Sequence, residues 1–113
     1  KKLLLNNYGQ MGKDAEPIRE RLHKILDAHF DVKELSYSGR LRKNAWCYLN
    51  YVETPNIVII PGLSKDLDCE NDQSAKTEFI NLFPNKEIIQ IYALPLISKG
   101  GALHCVTWEL NKN

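Results

Sequence analysis

The sequence predicts an α/β fold of about two strand-helix-strand modules, and three observations carry that prediction. Two short apolar runs, Leu3-Leu4-Leu5 and Ile57-Val58-Ile59-Ile60, have the length and composition of buried strands. Each is followed by apolar residues at helical spacing and then by a second strand-like run. Finally, Phe30-Asp31-Val32-Lys33-Glu34-Leu35 and Phe83-Pro84-Asn85-Lys86-Glu87-Ile88 share Phe, Lys-Glu and an aliphatic residue in register, and the same offset of 53 lays Leu4-Leu5 on Ile57-Val58. The chain therefore reads as two copies of one unit, roughly residues 1–44 and 45–113. Units of this kind bury their faces against neighbours and need caps at the ends of an array. No cap is evident, so two units imply a portion of a larger ring.

The elements follow in order. Leu3 to Leu5 is a strand ended by the polar Asn6-Asn7. A helix is expected from Asp14, a good N-cap, with Ile18, Leu22, Ile25, Leu26 and His29 on its apolar stripe. Val32 to Ser36 returns as a strand that Ser38-Gly39 closes. Trp46 to Val52, rich in aromatic and β-forming residues, is expected to be extended and to pair as a hairpin with Ile57 to Ile60 across the turn Thr54-Pro55-Asn56. Pro61-Gly62 is expected to break that strand. A second helix starts at about Asn71 or Asp72, carries Ala75, Phe79, Leu82 and Phe83 on one stripe, and stops at Pro84-Asn85 before a strand over Glu87 to Tyr92.

Composition narrows the function. A net charge of +1 supplies no global electrostatic footprint for nucleic acid or a membrane surface, so neither is expected as a partner. The short basic run Arg40-Leu41-Arg42-Lys43 reads as a solvated loop. No apolar stretch approaches the ~20 residues that span a bilayer, and no signal-peptide pattern is present. Cys47, Cys69 and Cys105 are an odd set without CxxC spacing, which argues against a zinc site or a disulfide framework and leads us to expect a reducing cytoplasm. The chain starts Lys1-Lys2-Leu3 without an initiator methionine, as expected of a processed, trimmed or partial polypeptide.

Chemistry concentrates near the end, in Gly100-Gly101-Ala102-Leu103-His104-Cys105-Val106-Thr107. If this run is extended, Leu103, Cys105, Thr107 and Glu109 share one face, while Ala102, His104, Val106, Trp108 and Leu110 share the other. Cys105 then lies on the face holding a hydroxyl and a carboxylate, after a glycine pair that permits close backbone approach or a turn with positive φ. Such a cysteine is either a buried structural residue or a nucleophile at a cleft. His104 points away from it and reads as a structural histidine.

Gly-Gly-x-x-His-Cys-x-Thr, with Tyr48-Leu49-Asn50-Tyr51 ahead of Ile57-Val58-Ile59-Ile60-Pro61 and with Phe79-Ile80-Asn81-Leu82-Phe83-Pro84 ahead of Lys86-Glu87-Ile88-Ile89, resembles the end of the agmatine deiminase and bacterial-type peptidylarginine deiminase family. The resemblance is good over roughly residues 45 to 110. It implies a pentein-type β/α propeller of five ββαβ modules, of which this chain would be the last two. It implies Cys105 as the nucleophile toward a guanidine substrate, most directly agmatine, with peptidylarginine or free arginine as the alternative and a catalytically silent binding module as a rival. Gly100 and Gly101 support the motif, and Asn50 would orient substrate or a loop, unless it only bonds its own backbone.

The resemblance also implies what this chain lacks. The family's catalytic histidine lies upstream beside an acidic neighbour, and its carboxylate clamps come from earlier modules; neither has a match here, and Glu53 and Glu109 have no motif support. The remaining modules of the fold are therefore expected as partners, an oligomer is compatible with this, and no cofactor is expected. Asp66-Leu67-Asp68-Cys69-Glu70-Asn71-Asp72 alternates oxygen ligands, but Asn71 and Thr77 stand where a calcium loop needs Gly and Glu. Acidic capping of the second helix explains that stretch, and no metal is expected.

Overall fold

A computed structural model describes residues 2–99, which fall into two compact units that divide between Tyr37 and Ser38. In the first, strand β1 (Lys2–Leu5) leads through helix α1 (Glu16–Leu26) to strand β2 (Asp31–Glu34), which pairs with β1 in parallel from Lys2 opposite Asp31 to Leu5 opposite Glu34. Leu35 N–H extends the ladder by donating to Leu5 C=O at 2.9 Å. Beyond it the Gln10 side chain takes the place of a strand: its Nε2 donates to Tyr37 C=O at 2.8 Å and its Oε1 accepts from Tyr37 N–H at 3.0 Å.

Two expectations for this unit need correction. Asp14 does not cap α1; it lies in a 3-10 turn, Lys13–Ala15, and no side chain caps the helix. Pro17 in the first helical turn lacks an N–H, which removes one of the donors a cap would serve. The apolar stripe is also not buried: α1 has no buried residue, Ile18 and Ile25 are 53% and 63% exposed, and Leu22 and Leu26 are only half-covered. Two four-residue strands present too small a face to cover an eleven-residue helix. His29 falls beyond the helix end, its N–H donating to Leu26 C=O. At the C-terminal end of β2, Glu34 is held by Arg19 Nε, 3.0 and 2.9 Å from its two oxygens, and by Gly9 N–H at 2.7 Å. Arg19 holds the Glu34 carboxyl below its usual range, working with Gly9 against the upward push of burial.

The second unit contains strands β3 (Val52–Glu53), β4 (Ile57–Gly62) and β5 (Glu87–Tyr92), in the spatial order β3-β4-β5. Strand β3 is antiparallel to β4, and β5 is parallel to β4 after a crossover through helix α2 (Glu70–Leu82). The unit is thus β-β-α-β, and the expected Thr54-Pro55-Asn56 turn joins its hairpin, with Thr54 N–H donating to Ile57 C=O at 2.8 Å. Both units share the parallel strand-helix-strand core. However, Lys33-Glu34 ends β2 whereas Lys86-Glu87 precedes and opens β5, so the sequence match does not superpose equivalent strand positions.

The stretch from Trp46 to Val52 departs most from expectation. Ala45–Leu49 is a 3-10 helix, and only Val52 and Glu53 are extended. Ala45 and Tyr48, three apart, lie on one edge of such a helix, and both are buried. That burial outweighs the β propensity of the aromatic residues. Pro61-Gly62 does not break β4 either: Pro61 pairs with Ile91 and Gly62 with Tyr92. Strand β3 pairs only with Val58 and Ile59, so Pro61 lies past the hairpin partner and its missing N–H disrupts no bond there.

The core of this unit joins Val58 and Ile60 of β4 to Ala75 and Phe79 of α2, Tyr48, Leu63, Ala93 and Ile97. Phe79 meets Tyr51 edge-on, ring centroids 5.1 Å apart. The loop after residue 37 is tied to α2, with Asn71 Nδ2 donating to Ser38 C=O at 2.7 Å and Arg42 N–H donating to Asn71 Oδ1 at 2.8 Å. In that loop Gly39 has φ +85°, and a Cβ there would stand 2.7 Å from the Glu70 Cβ. Gly39→Ala should therefore cost about 1–3 kcal/mol; urea unfolding midpoints equal to those of the unaltered protein would contradict this.

Candidate functional site

Cys105, Gly100 and Gly101 lie outside the described residues, as do His104 and Glu109. The structure shows the end of the sheet from which the chain runs toward them. After β5, Ala93 N–H donates to Gly62 C=O at 3.0 Å, and a short helix, α3 (Leu94–Ile97), is anchored by the buried Ile97. The described chain ends at Lys99, immediately before the glycine pair. This is the C-terminal end of the parallel strands β4 and β5.

At that same end lies a polar centre that sequence reading did not pick out. Asp72, in the first turn of α2, is fully buried. One carboxylate oxygen accepts from Tyr48 Oη at 2.7 Å and from Leu63 N–H at 2.7 Å; the other accepts from Ser64 N–H at 2.8 Å and from Ser64 Oγ at 2.6 Å. Burial pushes the carboxyl upward, but the bonds from Ser64, Tyr48 and the Leu63 and Ser64 amides outweigh it and hold it below its usual range. Burial first, and then its bond to this carboxylate, raises the Tyr48 phenol far above its ordinary value. So Tyr48 stays protonated and donates, and Asp72 stays ionised and accepts.

Around this centre the network closes. Ser64 Oγ also accepts from Cys69 N–H at 3.1 Å, and Cys69 Sγ accepts from Asp72 N–H at 3.4 Å, making Cys69 the N-cap of α2. Gln90 of β5 donates from Nε2 to Asp72 C=O at 3.1 Å. The expected acidic first turn is present as Glu70 and Asp72, yet the cap is a thiol and Asp72 faces inward. The signal for Asp72 was its spacing: Asp72, Ala75 and Phe79 share one helical stripe, so an acid stood on the buried face.

The other predicted residues separate clearly. Asn50 closes the 3-10 helix, half-buried, with its N–H donating to Cys47 C=O at 2.9 Å. It lies two residues beyond Tyr48, so the same turn carries both. Cys47 is fully buried, and burial together with the nearby Asp72 charge pushes its thiol up to about 12, which leaves it protonated and unreactive. Glu53 is exposed and ion-paired with Lys86. Arg40, Arg42 and Lys43 are exposed, as a solvated loop requires. His23 lies on α1, 3.3 Å from Asp27 and 3.5 Å from Glu34. Among the described residues no helix is long and apolar enough to cross a membrane.

Comparison with known proteins follows the same lines. The sequence profile of the Porphyromonas-type peptidyl-arginine deiminases matches residues 6–110. A relative from Enterococcus faecalis, provisionally named an agmatine deiminase, is 32% identical over 62 residues, 55% of this chain and 16% of its own length. The agmatine deiminase of C. jejuni superposes with a TM-score of 0.63 at 21% identity, covering 92% of this chain and 32% of that protein. The agmatine deiminase of Enterococcus faecalis does so with a TM-score of 0.63 at 21% identity, over 91% of this chain and 35% of that protein. The fold is therefore that of the pentein-type deiminases, and the chain spans about a third of the length of these solved structures.

Proposed function

We propose, because this chain belongs to the Porphyromonas-type peptidyl-arginine deiminase family, that it is the nucleophile-bearing part of a cytoplasmic guanidine deiminase. The observation that carries this reading is that the family match runs through Gly100, Gly101 and Cys105. A thiolate suits the chemistry. The Cys105 sulfur adds to the flat guanidinium carbon, the acid–base group of the remaining modules passes a proton to one terminal nitrogen, and that C–N bond breaks to release ammonia. Water then adds to the amidino-thioether carbon, the C–S bond breaks, and a urea and the free thiol result. Asn50 orients the substrate in this reading, and the chemistry calls for no metal or cofactor.

Agmatine is the favoured substrate, because the curated relatives at about 30% identity carry that provisional name. Its products would be N-carbamoylputrescine and ammonia, a step toward putrescine. A second reading, deimination of peptidylarginine or arginine, is favoured by the name of the matching family. The base and the carboxylate clamps for the guanidinium are assigned to the remaining modules of the fold, which are this chain's expected partners.

The test is ammonia release from agmatine, arginine and a peptidylarginine, using the full-length polypeptide that contains these residues and, separately, residues 1–113 alone. The full-length protein is expected to turn over agmatine fastest, and the 113-residue piece to show no significant turnover. A piece that turns over at about 1 per second would place the base and clamps within these residues. A full-length protein inactive on all three substrates would overturn the proposal.

A further inference from the structure

Asp72 and Tyr48 lie where the turn carrying Asn50 meets the sheet. The turn carrying Asn50 is bonded through Tyr48 Oη to Asp72, and the same carboxylate holds Leu63 and Ser64, which follow β4. Gly62, the last residue of β4, holds Ala93, from which α3 leads toward the Cys105 segment. One buried acid thus ties the Asn50 turn to the C-terminal end of β4. We infer that Asp72 and Tyr48 are positioning residues that act through Asn50, setting its turn relative to the guanidine substrate; the inference rests on the deiminase reading above.

The geometry distinguishes this from a purely structural polar core. A carboxylate whose only task is to start α2 needs the backbone amides of that helix. Asp72 instead spends both oxygens on groups outside the helix, and the α2 cap is left to Cys69. Removing the Tyr48 hydroxyl leaves the ring to fill its buried site and releases the bond from the turn to Asp72, so Tyr48→Phe should shift Asn50 without emptying the core. A displacement of about 1 Å at a group that orients substrate costs up to ~100-fold in rate.

The experiment is a double-mutant cycle on kcat/KM for agmatine in the full-length polypeptide, using Tyr48→Phe, Asn50→Ala and the pair. Each single variant is expected to lower kcat/KM by about 10- to 100-fold, and the pair to be no worse than the weaker single, as follows if Tyr48 acts through Asn50. Asp72→Asn should fall with the same non-additive pattern against Asn50→Ala. Multiplicative losses, a Tyr48→Phe protein that melts lower yet keeps full kcat/KM, or an Asn50→Ala protein with full activity would each overturn the inference while leaving the deiminase reading intact. An unaltered protein inactive on all guanidine substrates, or a Cys105→Ser protein with full turnover, would remove that reading and this inference with it.

Discussion

Cys105→Ser in the full-length polypeptide is expected to lose deiminase turnover by a factor on the order of 10⁶, the scale seen when a hydrolase loses its nucleophile. A haloacetamidine, whose amidine mimics a guanidinium and whose carbon accepts sulfur, should label Cys105 alone and be blocked by agmatine. The structure supplies the reasons that Cys47 and Cys69 should stay unlabelled. Cys47 is fully buried with its thiol pushed up to about 12, so it stays protonated at neutral pH. Cys69 Sγ is engaged with Asp72 N–H as a helix cap. Peptide mass mapping locates the adduct; label on Cys47 or Cys69, or a Cys105→Ser protein that retains full turnover, would sink the mechanism.

Asp72→Ala should be the most damaging substitution among the described residues. It leaves the Tyr48 hydroxyl and the Leu63 and Ser64 amides without their acceptor, at about 1–3 kcal/mol for each buried unsatisfied donor. A loss of about 3–5 kcal/mol is expected, measured by urea unfolding at pH 7. The pH dependence has a definite sign. Because the folded carboxyl sits below its unfolded value, its contribution is complete above about pH 4 and disappears as pH falls through the lower folded value. Asp72→Asn, which cannot titrate, should therefore show a shallower acid-side fall in stability than the unaltered protein. Equal unfolding midpoints for Asp72→Ala and the parent would refute this account.

The sequence showed the α/β class, the hairpin turn and the β5 limits plainly, because those depend on local signals: short apolar runs, Thr54-Pro55-Asn56 and Pro84-Asn85. It misled where burial overrode propensity. The aromatic residues around Tyr48 read as a strand and fold as a 3-10 helix, since an i, i+3 edge buries Ala45 and Tyr48 together. Pro61 read as a breaker, but β3 pairs only with Val58 and Ile59, so the missing N–H falls past the hairpin pairing. On the site, the family motif named Cys105 and Asn50 but said nothing about what holds the Asn50 turn. Asp72 was hidden among other acids of residues 66–72, and only its place on the stripe with Ala75 and Phe79 distinguished it. Asn71, fully buried and bonded to the loop at Ser38 and Arg42, was equally invisible, because an amide on a helix carries no periodic signal of its tertiary partners.

The two ends of the β4–β5 pair are fastened by different physics. At the hairpin end, Lys86 pairs with the exposed Glu53 and donates to Thr54 C=O at 2.9 Å, beside the Glu87 N–H bond to Asn56 C=O. At the opposite end the fastening is the buried Asp72 network. Ions in solution screen the first and scarcely reach the second. Raising ionic strength should therefore loosen this sheet directionally, fraying it from the hairpin like a zipper opened at the solvent side while the end held by Asp72 stays closed. Salt should thus tune the stability of this module at its hairpin end without acting on the Asp72 network.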